Sequence, residues 1–355
     1  MADAKLDPLG WNEWFASRSV RRQEKDCIAR VAAVDRDQLL LMGEPGVFRA
    51  KLSGKLLYES GDPLQRPCVG DWVCVEKAAD APFGMVHAIL DRKTCLRRKA
   101  PGDSVEYQLI AANVDFVIIV QACHYDFNLK RPERYLVMVK DGGAIPFILL
   151  TKMDLISPDA LAAQVQEIRN AGITEAVMAL SNVTHEGVPD LRSVLAPGKT
   201  YCLVGSSGVG KSTIINALTG RDVHETKDVS GTGEGRHTTT RRELILLENG
   251  ALVIDNPGMR EFGVIGAERG IEASYSDLLA LASQCHFRDC THANEPGCAL
   301  LAALATDRIS ADHYENFLKL RKESEYYQLS YAQRRKRDKD FGRFMKSVKK
   351  ELKND

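Results

Sequence analysis

The stretch Gly205-Ser-Ser-Gly-Val-Gly-Lys-Ser212 decides how this sequence is interpreted. It has the spacing of a phosphate-binding loop, with an apolar run at 201–204 before it and a helical pattern from about Lys211 after it. Glycines there let backbone amides surround phosphate oxygens, and the helix adds the positive end of its dipole. We expect Lys211 to reach the β- and γ-phosphates and Ser212 to bind Mg²⁺. The predicted nucleotide contacts are Gly205, Ser206, Ser207, Gly208, Val209, Gly210, Lys211, Ser212 and Thr213.

Around this loop, apolar strand patterns alternate with helical patterns. We predict strands at 116–120, 147–150, 176–180 and 201–204, and helices at 132–140 and 158–171. A turn at 248–250 joins two further strands, 244–247 and 252–254. Such alternation predicts a parallel sheet covered by helices.

A second motif, Thr151-Lys-Met-Asp154, directly follows one of these strands. A carboxylate at Asp154 can accept hydrogen bonds from N1–H and the exocyclic amine of guanine, a pair that adenine does not offer. Lys152 can lay its aliphatic stem over the base. GTPases usually have Asn where Thr151 stands, so a hydroxyl is kept and an amide is lost, which predicts weaker guanine binding. The alternative is a charged turn at the end of a strand.

Three further segments complete the predicted site. Ser181, after the next strand, lies in a segment that resembles the loop whose backbone touches guanine O6. Asp255, in Asp255-Asn-Pro-Gly258, is expected to hold Mg²⁺ through water, and the Gly258 amide to sense the γ-phosphate. In Arg236-His-Thr-Thr-Thr240, Thr239 is expected to contact Mg²⁺ and the γ-phosphate.

The residue after Gly258 is Met259, where many GTPases have a glutamine that orients water. A thioether cannot polarise water, so we expect slow intrinsic turnover and consider His237 as the substitute. The alternative for His237 is a solvated loop histidine.

The motif order is unusual, because the base motif at 151 precedes the phosphate loop at 205. Ras-like chains run in the opposite order. The sequence therefore predicts a circularly permuted Ras-like P-loop GTPase domain, whose relocated termini leave the sheet intact.

The N-terminal part reads as a small β-barrel. Strand patterns at 28–34, 38–42, 46–52, 71–76 and 85–90 are separated by glycine and proline turns, which predicts an OB-like barrel or, equally on pattern, an SH3-like one. Trp72 could stack on a base, although a tryptophan in an alternating strand is more often in the core. Residues 1–26 are either a disordered arm or a strand of the barrel.

A cysteine and histidine cluster follows the predicted GTPase domain. Cys285, Cys290, His292 and Cys298 form a Cys₃His set, which is typical of one structural Zn²⁺; His286 is a competing imidazole. The predicted division is a multi-domain chain with an N-terminal arm (1–26), an OB-like β-barrel (27–99), a permuted GTPase domain (100–265), a C-terminal helical zinc-binding domain (266–330) and a basic tail (331–355).

Composition limits the possible partners and the compartment. The formal net charge is +0, so no global field attracts nucleic acid, but the tail and a cluster at 92–99 are locally basic and predict binding to an anionic partner. We expect a cytoplasmic protein with no membrane contact and with its six scattered cysteines reduced.

Taken together, these motifs resemble the ribosome-small-subunit-dependent GTPase A (RsgA) family over roughly residues 27–330. The resemblance implies a GTPase that binds the small ribosomal subunit and its rRNA late in assembly and hydrolyses Mg²⁺·GTP to GDP and phosphate when bound. We expect the chain to act as a monomer. Two alternatives stay open. One is an RNA-binding assembly module that uses GTP as a ligand with negligible turnover, and the other is an ATP-using P-loop enzyme.

Overall fold

The structure is a computed structural model that describes residues 5–19, 26–36, 38–59, 61–77, 81–99, 107–124, 127–220, 242–256 and 266–328. Within these ranges, no helix is both long enough and apolar enough to cross a membrane.

The N-terminal barrel is built from β1 (Asp26–Asp35), β2 (Gln38–Gly43), β3 (Gly46–Leu52), β4 (Trp72–Glu76) and β5 (Gly84–Ile89), with α2 (Gly54–Glu59) after β3. Strand β1 pairs with both β2 and β4, and β3 runs parallel to β5, so the order β1-β2-β3-β5-β4-β1 closes on itself. This closure is that of an OB fold, which confirms the predicted barrel and excludes the SH3-like alternative.

Residues 5–19 are neither a disordered arm nor a barrel strand, so both expectations for this segment were wrong. They form a 3₁₀ turn (Asp7–Leu9) and a short helix, α1 (Glu13–Ala16). Trp11 and Phe15 are buried, and their rings lie 4.8 and 5.8 Å from the Trp72 ring. Trp72 itself has no exposed surface, so it belongs to the core and is not available to stack on a base.

A two-stranded sheet, β6 (Cys95–Lys99) and β7 (Tyr107–Ala112), follows the barrel and was not predicted. The basic cluster lies here, but three of its arginines have partners within the chain. Arg92 Nε lies 2.7 Å from Asp71 Oδ1, Arg97 Nη2 lies 3.0 Å from Asp141 Oδ2, and Arg98 binds Gln108. Two of these arginines are therefore paired with carboxylates of the chain itself, and binding of the cluster to an anionic partner stays a prediction.

The nucleotide-binding domain contains a parallel sheet with one antiparallel edge strand, in the order β10-β9-β8-β11-β13-β12. Its strands are β8 (Phe116–Ala122), β9 (Ile145–Thr151), β10 (Val177–Leu180), β11 (Thr200–Val204), β12 (Glu243–Leu246) and β13 (Leu252–Asp255). Its helices are α3 (Lys130–Asp141), α4 (Pro158–Asn170), α5 (Val188–Val194) and α6 (Lys211–Thr219). These elements confirm the predicted α/β alternation.

Local signals explain where these elements begin. Before α4, the Ser157 hydroxyl accepts a hydrogen bond from the Ala160 amide, and Pro158 occupies the first turn, where its missing N–H costs nothing. The central strand β8 is apolar throughout its middle, with Val117, Ile118 and Ile119 fully buried. A strand covered on both faces needs such a continuous apolar run.

The C-terminal module is helical, as predicted. It comprises α7 (Glu268–Ser274), α8 (Ser276–Ala282), α9 (Ala299–Ala305) and α10 (Ala311–Gln328). Helix α7 packs closely on α3, because Gly270 lies so near that a Cβ there would be 2.0 Å from the carbonyl oxygen of Val137. The module is therefore attached to the nucleotide-binding domain through α3.

Candidate nucleotide site and metal cluster

The phosphate loop lies between β11 and α6, as its sequence predicts. Gly205, Gly208 and Gly210 have φ angles of 148°, 77° and 98°, in the region that favours glycine. At Gly205 a side chain is also excluded by space, since a Cβ would lie 2.3 Å from the carbonyl oxygen of Val120. The loop therefore brings its backbone close to β8 and to the N-terminus of α6.

Lys211, at the first position of α6, turns its ammonium group back over the loop. Its Nζ donates to the carbonyl oxygens of Gly205 at 2.7 Å and Ser206 at 2.6 Å. Burial lowers the pKa of Lys211 to about 8, while the charge of Asp255 acts in the opposite direction. A desolvated ammonium group in this position favours an anionic ligand such as phosphate.

Asp255 and Ser212 lie beside Lys211 because β11 and β13 are parallel neighbours, with Cys202 opposite Ile254. Asp255 ends β13 and is 3% exposed, and Ser212 is 9% exposed in the first turn of α6. A carboxylate and a hydroxyl are oxygen ligands of the type that Mg²⁺ prefers. The donor set therefore fits Mg²⁺ bound together with a nucleotide phosphate.

The base motif lies at the end of β9. Lys152 is in the left-handed region at φ 60°, and Asp154 is exposed in the short 3₁₀ turn that follows. Thr151 is fully buried, and its hydroxyl donates to the carbonyl oxygen of Val209 at 2.7 Å. Thr151 thus ties the base motif to the phosphate loop, a role that the sequence analysis missed.

Ser181 follows β10, whose last residue, Leu180, lies opposite Thr151. The Ser181 hydroxyl accepts hydrogen bonds from the amides of Val183 and Thr184, both at 3.1 Å. Its own amide donates to the carbonyl oxygen of Glu186 at 2.9 Å. The polar groups of Ser181 therefore shape this loop, which places the next residue, Asn182, against the phosphate loop.

The switch residues His237, Thr239 and Gly258, together with Met259, lie outside the described residues, so their expected roles stay predictions. Asn256, in the second switch motif, is described and is 1% exposed. Its amide donates to Cys202 Sγ in β11. Burial raises the pKa of the Cys202 thiol to about 12, and the Asn256 hydrogen bond opposes this rise. An asparagine at this position therefore has a partner in the neighbouring strand.

The predicted metal ligands come together between α8 and α9. The ligand atoms of Cys285, Cys290, His292 and Cys298 all lie within 4.8 Å of one another. His292 Nδ1 is 3.5 Å from Cys285 Sγ and 3.6 Å from Cys298 Sγ, and these two sulfurs are 3.9 Å apart. In a tetrahedral site with Zn–S bonds of about 2.3 Å, neighbouring sulfurs are about 3.8 Å apart, so the spacing fits.

The loop that carries the cluster is held by hydrogen bonds of its own. The Glu295 carboxylate accepts from the amides of Thr291, Ala293 and Asn294. The Tyr314 hydroxyl donates to the carbonyl oxygen of His292, and the Ala299 amide donates to Cys285 Sγ at 3.3 Å. His286 is not among the clustered ligands and instead packs its ring against Phe287. The structure therefore favours His292, as the sequence predicted.

Comparison with known proteins gives the family. A family model described as RsgA GTPase matches residues 89–265. A small ribosomal subunit biogenesis GTPase RsgA 2 of Listeria monocytogenes is 41% identical over 323 residues, which cover 91% of this chain and 90% of that protein. The chain belongs to the RsgA GTPase family. A protein named small ribosomal subunit biogenesis GTPase RsgA from Opitutus terrae is 40% identical over 332 residues, covering 90% of both chains.

Two solved structures have the same fold. YjeQ from Thermotoga maritima superposes with a TM-score of 0.63 at 25% identity and covers 83% of this chain and 97% of its own. YloQ, described as a circularly permuted GTPase, gives a TM-score of 0.59 at 23% identity and covers 88% of this chain and 100% of its own. The permuted order predicted from the motifs is confirmed. The chain is a GTPase of the RsgA family, that is, a hydrolase that acts on GTP.

Proposed function

We propose that this RsgA-family GTPase binds the small ribosomal subunit during its assembly and hydrolyses GTP when bound to it. The observation that carries the proposal is the combination of the buried Lys211, Ser212 and Asp255 group with relatives whose names specify small ribosomal subunit biogenesis. The OB barrel supports it, since such barrels present strands and loops that bind oligonucleotides.

Different segments of the nucleotide site bind the phosphates, the guanine base and Mg²⁺. Residues 205–213 hold the phosphates, with Lys211 at the β- and γ-phosphates, and Asp154 and Lys152 receive the guanine. Ser212, Thr239 and, through water, Asp255 would hold Mg²⁺, and the bound ion would supply positive charge to the transferring phosphoryl group. The Gly258 amide contacts the γ-phosphate. Met259 stands where many GTPases have a water-orienting glutamine, and His237 orients the attacking water instead. GTP hydrolysis by the protein alone is slow, and contact with rRNA accelerates it by completing the catalytic site.

The metal in the Cys₃His cluster is one structural Zn²⁺. Four protein ligands leave no open position for a substrate, which is typical of a structural site. Zinc content per chain, measured by mass spectrometry, tests this assignment. One zinc per chain in the wild type and loss of zinc in Cys290→Ser are expected; a different metal at full occupancy contradicts it.

We also propose an assembly state and a location for the protein. The protein acts as a monomer in the cytoplasm, where ribosomal subunits mature, and contacts rRNA directly. Light scattering of the purified chain tests the first statement, and crosslinking to subunits followed by sequencing of bound RNA tests the last. A stable dimer, or crosslinks to ribosomal protein alone, contradicts the corresponding statement.

Phosphate release tests the proposed function itself. Release from GTP, with ATP as control, is measured for the protein alone, with small subunits and with large subunits. We expect stimulation at least tenfold by small subunits only, and none in Lys211→Ala. Equal rates with and without small subunits contradict the proposal, and they leave a guanine-nucleotide-binding assembly module with negligible turnover.

A further inference from the structure

Asn182 carries a side-chain amide that lies between the phosphate loop and the base motif. It is the residue after Ser181, and its Nδ2 lies 3.0 Å from the point that a Cβ on Gly210 would occupy. Strand β9 ends at Thr151, which lies opposite Leu180 of β10. The base motif that follows β9 and the loop that carries Asn182 therefore leave the sheet side by side. The amide is therefore next to the phosphate loop and next to the segment that carries Asp154.

The amide has no hydrogen-bond partner within the described part of the chain. Its oxygen, Oδ1, is buried, and no described group donates to it. A buried polar atom without a partner is unfavourable, so such an atom in a binding site indicates a group that a ligand satisfies or reorients.

Two other polar side chains at this end of the site already have partners within the chain. The Thr151 hydroxyl donates to the carbonyl oxygen of Val209, and the Ser181 hydroxyl accepts from two amides of its own loop. Thr151 also lacks the amide that GTPases usually have at this position. Asn182 therefore offers a side-chain amide beside the base motif that can act as a donor.

We propose that the Asn182 side-chain amide donates a hydrogen bond to the O6/N7 edge of the guanine base. This edge carries two acceptors and no donor, whereas the same edge of adenine combines the N7 acceptor with the N6 amine. Turning the amide about its last torsion directs its NH₂ group to the base. The inference rests on the proposed guanine site and assigns a specificity-determining residue within it.

The experiment measures GDP affinity of the full chain by titration calorimetry for the wild type, Asn182→Ala and the control Val183→Ala. Val183 lies in the same loop, and it is 79% exposed. Asn182→Ala is expected to weaken GDP binding about five- to tenfold, the usual effect of one hydrogen bond, while Val183→Ala leaves it unchanged. Melting curves of the nucleotide-free variants show whether each is folded.

Base analogues separate a direct contact from a structural effect. The titrations are repeated with 7-deaza-GDP, which lacks the N7 acceptor, and with 6-thio-GDP, which keeps N1–H but replaces O6 with sulfur, a weaker acceptor. If Asn182 contacts this edge, its replacement costs several-fold less affinity for at least one analogue than for GDP. An equal loss with GDP and both analogues, or no loss with GDP, overturns the inference.

The proposed guanine site has an independent readout in the same data. If the wild type binds GDP no better than ADP, the proposed site fails, whatever Asn182 does. If the wild type prefers GDP and Asn182→Ala binds GDP as the wild type does, only the inference about Asn182 fails.

Discussion

The two junctions of the nucleotide-binding domain differ in how they are held. On the barrel side, β1 pairs with β12, with Ala33 opposite Glu243, so that the barrel and the nucleotide-binding domain share one sheet. On the side of the C-terminal helices, α7 packs against the backbone of α3 at Gly270, and ionisable side chains of α3 pair with side chains of α10. The polar contacts of the first junction are made largely to backbone groups that do not titrate, whereas those of the second join ionisable side chains.

At the barrel junction, the central side chain is Arg30, which is 1% exposed. Its guanidinium donates to the carbonyl oxygens of Leu9, of Gly70 at 3.3 Å and of Asn113 at 2.9 Å. These three carbonyls belong to the N-terminal segment, the barrel and the nucleotide-binding domain. Burial lowers the pKa of Arg30 to about 10, against the charges of Asp115 and Asp71, so it remains charged at neutral pH.

At the helical junction, the central side chain is His313 of α10. Its Nδ1 lies 3.2 Å from Glu133 Oε1 of α3, and its Nε2 lies 3.2 Å from Asp277 Oδ2 of α8. Arg134 of α3 adds a bidentate pair with Glu323 of α10, at 2.7 and 2.8 Å. The comparison therefore predicts that pH and salt loosen this junction first.

Metal removal should have the largest effect, and it should affect the C-terminal helices but not the barrel junction. Structural zinc sites contribute on the order of 10 kcal/mol of binding free energy, so the region of α8 and α9 should unfold without metal. Limited proteolysis after chelation is expected to cut near residues 283–298 and to leave the barrel and the nucleotide-binding domain intact. Unchanged proteolysis of a chain shown to be metal-free contradicts this expectation.

Replacing Arg30 should damage the barrel junction. Arg30→Met leaves three carbonyl oxygens buried without their donor, and we expect the free energy of unfolding to fall by about 3 kcal/mol or more. Urea denaturation measures the change. The matched control is Arg49→Met, because the Arg49 side chain is 52% exposed and binds Asp35 and Gln38 at the barrel surface. Equal effects of the two changes would argue against a central role for Arg30.

His313 should make stability depend on pH. Burial lowers its pKa, but hydrogen bonds and charges from Asp277 and Glu133 outweigh this and raise the pKa from 6.5 to about 9. The stabilisation is therefore complete below about pH 6.5 and is lost as the pH rises towards 9, by up to about 3 kcal/mol. Screening reduces this value, because the Asp277 side chain is 52% exposed.

Melting temperatures between pH 6 and pH 9 measure this effect as the difference between the wild type and His313→Gln. The difference should be largest at pH 6 and shrink as the pH rises. His87→Gln is the control, since the His87 side chain is 41% exposed and pairs with Glu76 on the barrel. A difference that does not vary with pH would show that His313 acts through packing alone.

The Arg134–Glu323 pair should have the smallest effect. A double-mutant cycle with Arg134→Met and Glu323→Gln is expected to give a coupling of about 1 kcal/mol, since the geometry is bidentate but both side chains retain some exposure. The coupling should decrease in 1 M salt. A coupling that is independent of salt would indicate that water does not reach this pair.

Local sequence signals account for most of the elements, because each depends on residues that are close together in the chain. The alternating pattern at 46–52 and the glycines of the phosphate loop were assigned correctly for this reason. The four ligands Cys285, Cys290, His292 and Cys298 are also close together in the chain, so their spacing alone predicts that they can share one metal ion.

Features that depend on distant partners were missed. Arg30 lies in an ordinary strand pattern, and nothing nearby indicates that its partners are Leu9 and Asn113. Strands β6 and β7 contain charged or mixed residues, so their pairing was not visible as a periodic pattern. The tether from Thr151 to Val209 joins residues separated by 58 positions, and only the folded sheet brings them together.

The central claim is that motifs separated in the chain form one site that selects guanine through Asp154. The most direct test compares binding of GDP and xanthosine diphosphate to the wild type and to Asp154→Asn. Xanthine keeps N1–H but has a carbonyl at C2, so an asparagine amide can accept from the first and donate to the second. The account predicts that the wild type prefers GDP and that the variant prefers xanthosine diphosphate, each by at least about tenfold. An unchanged preference for GDP in the variant would contradict it.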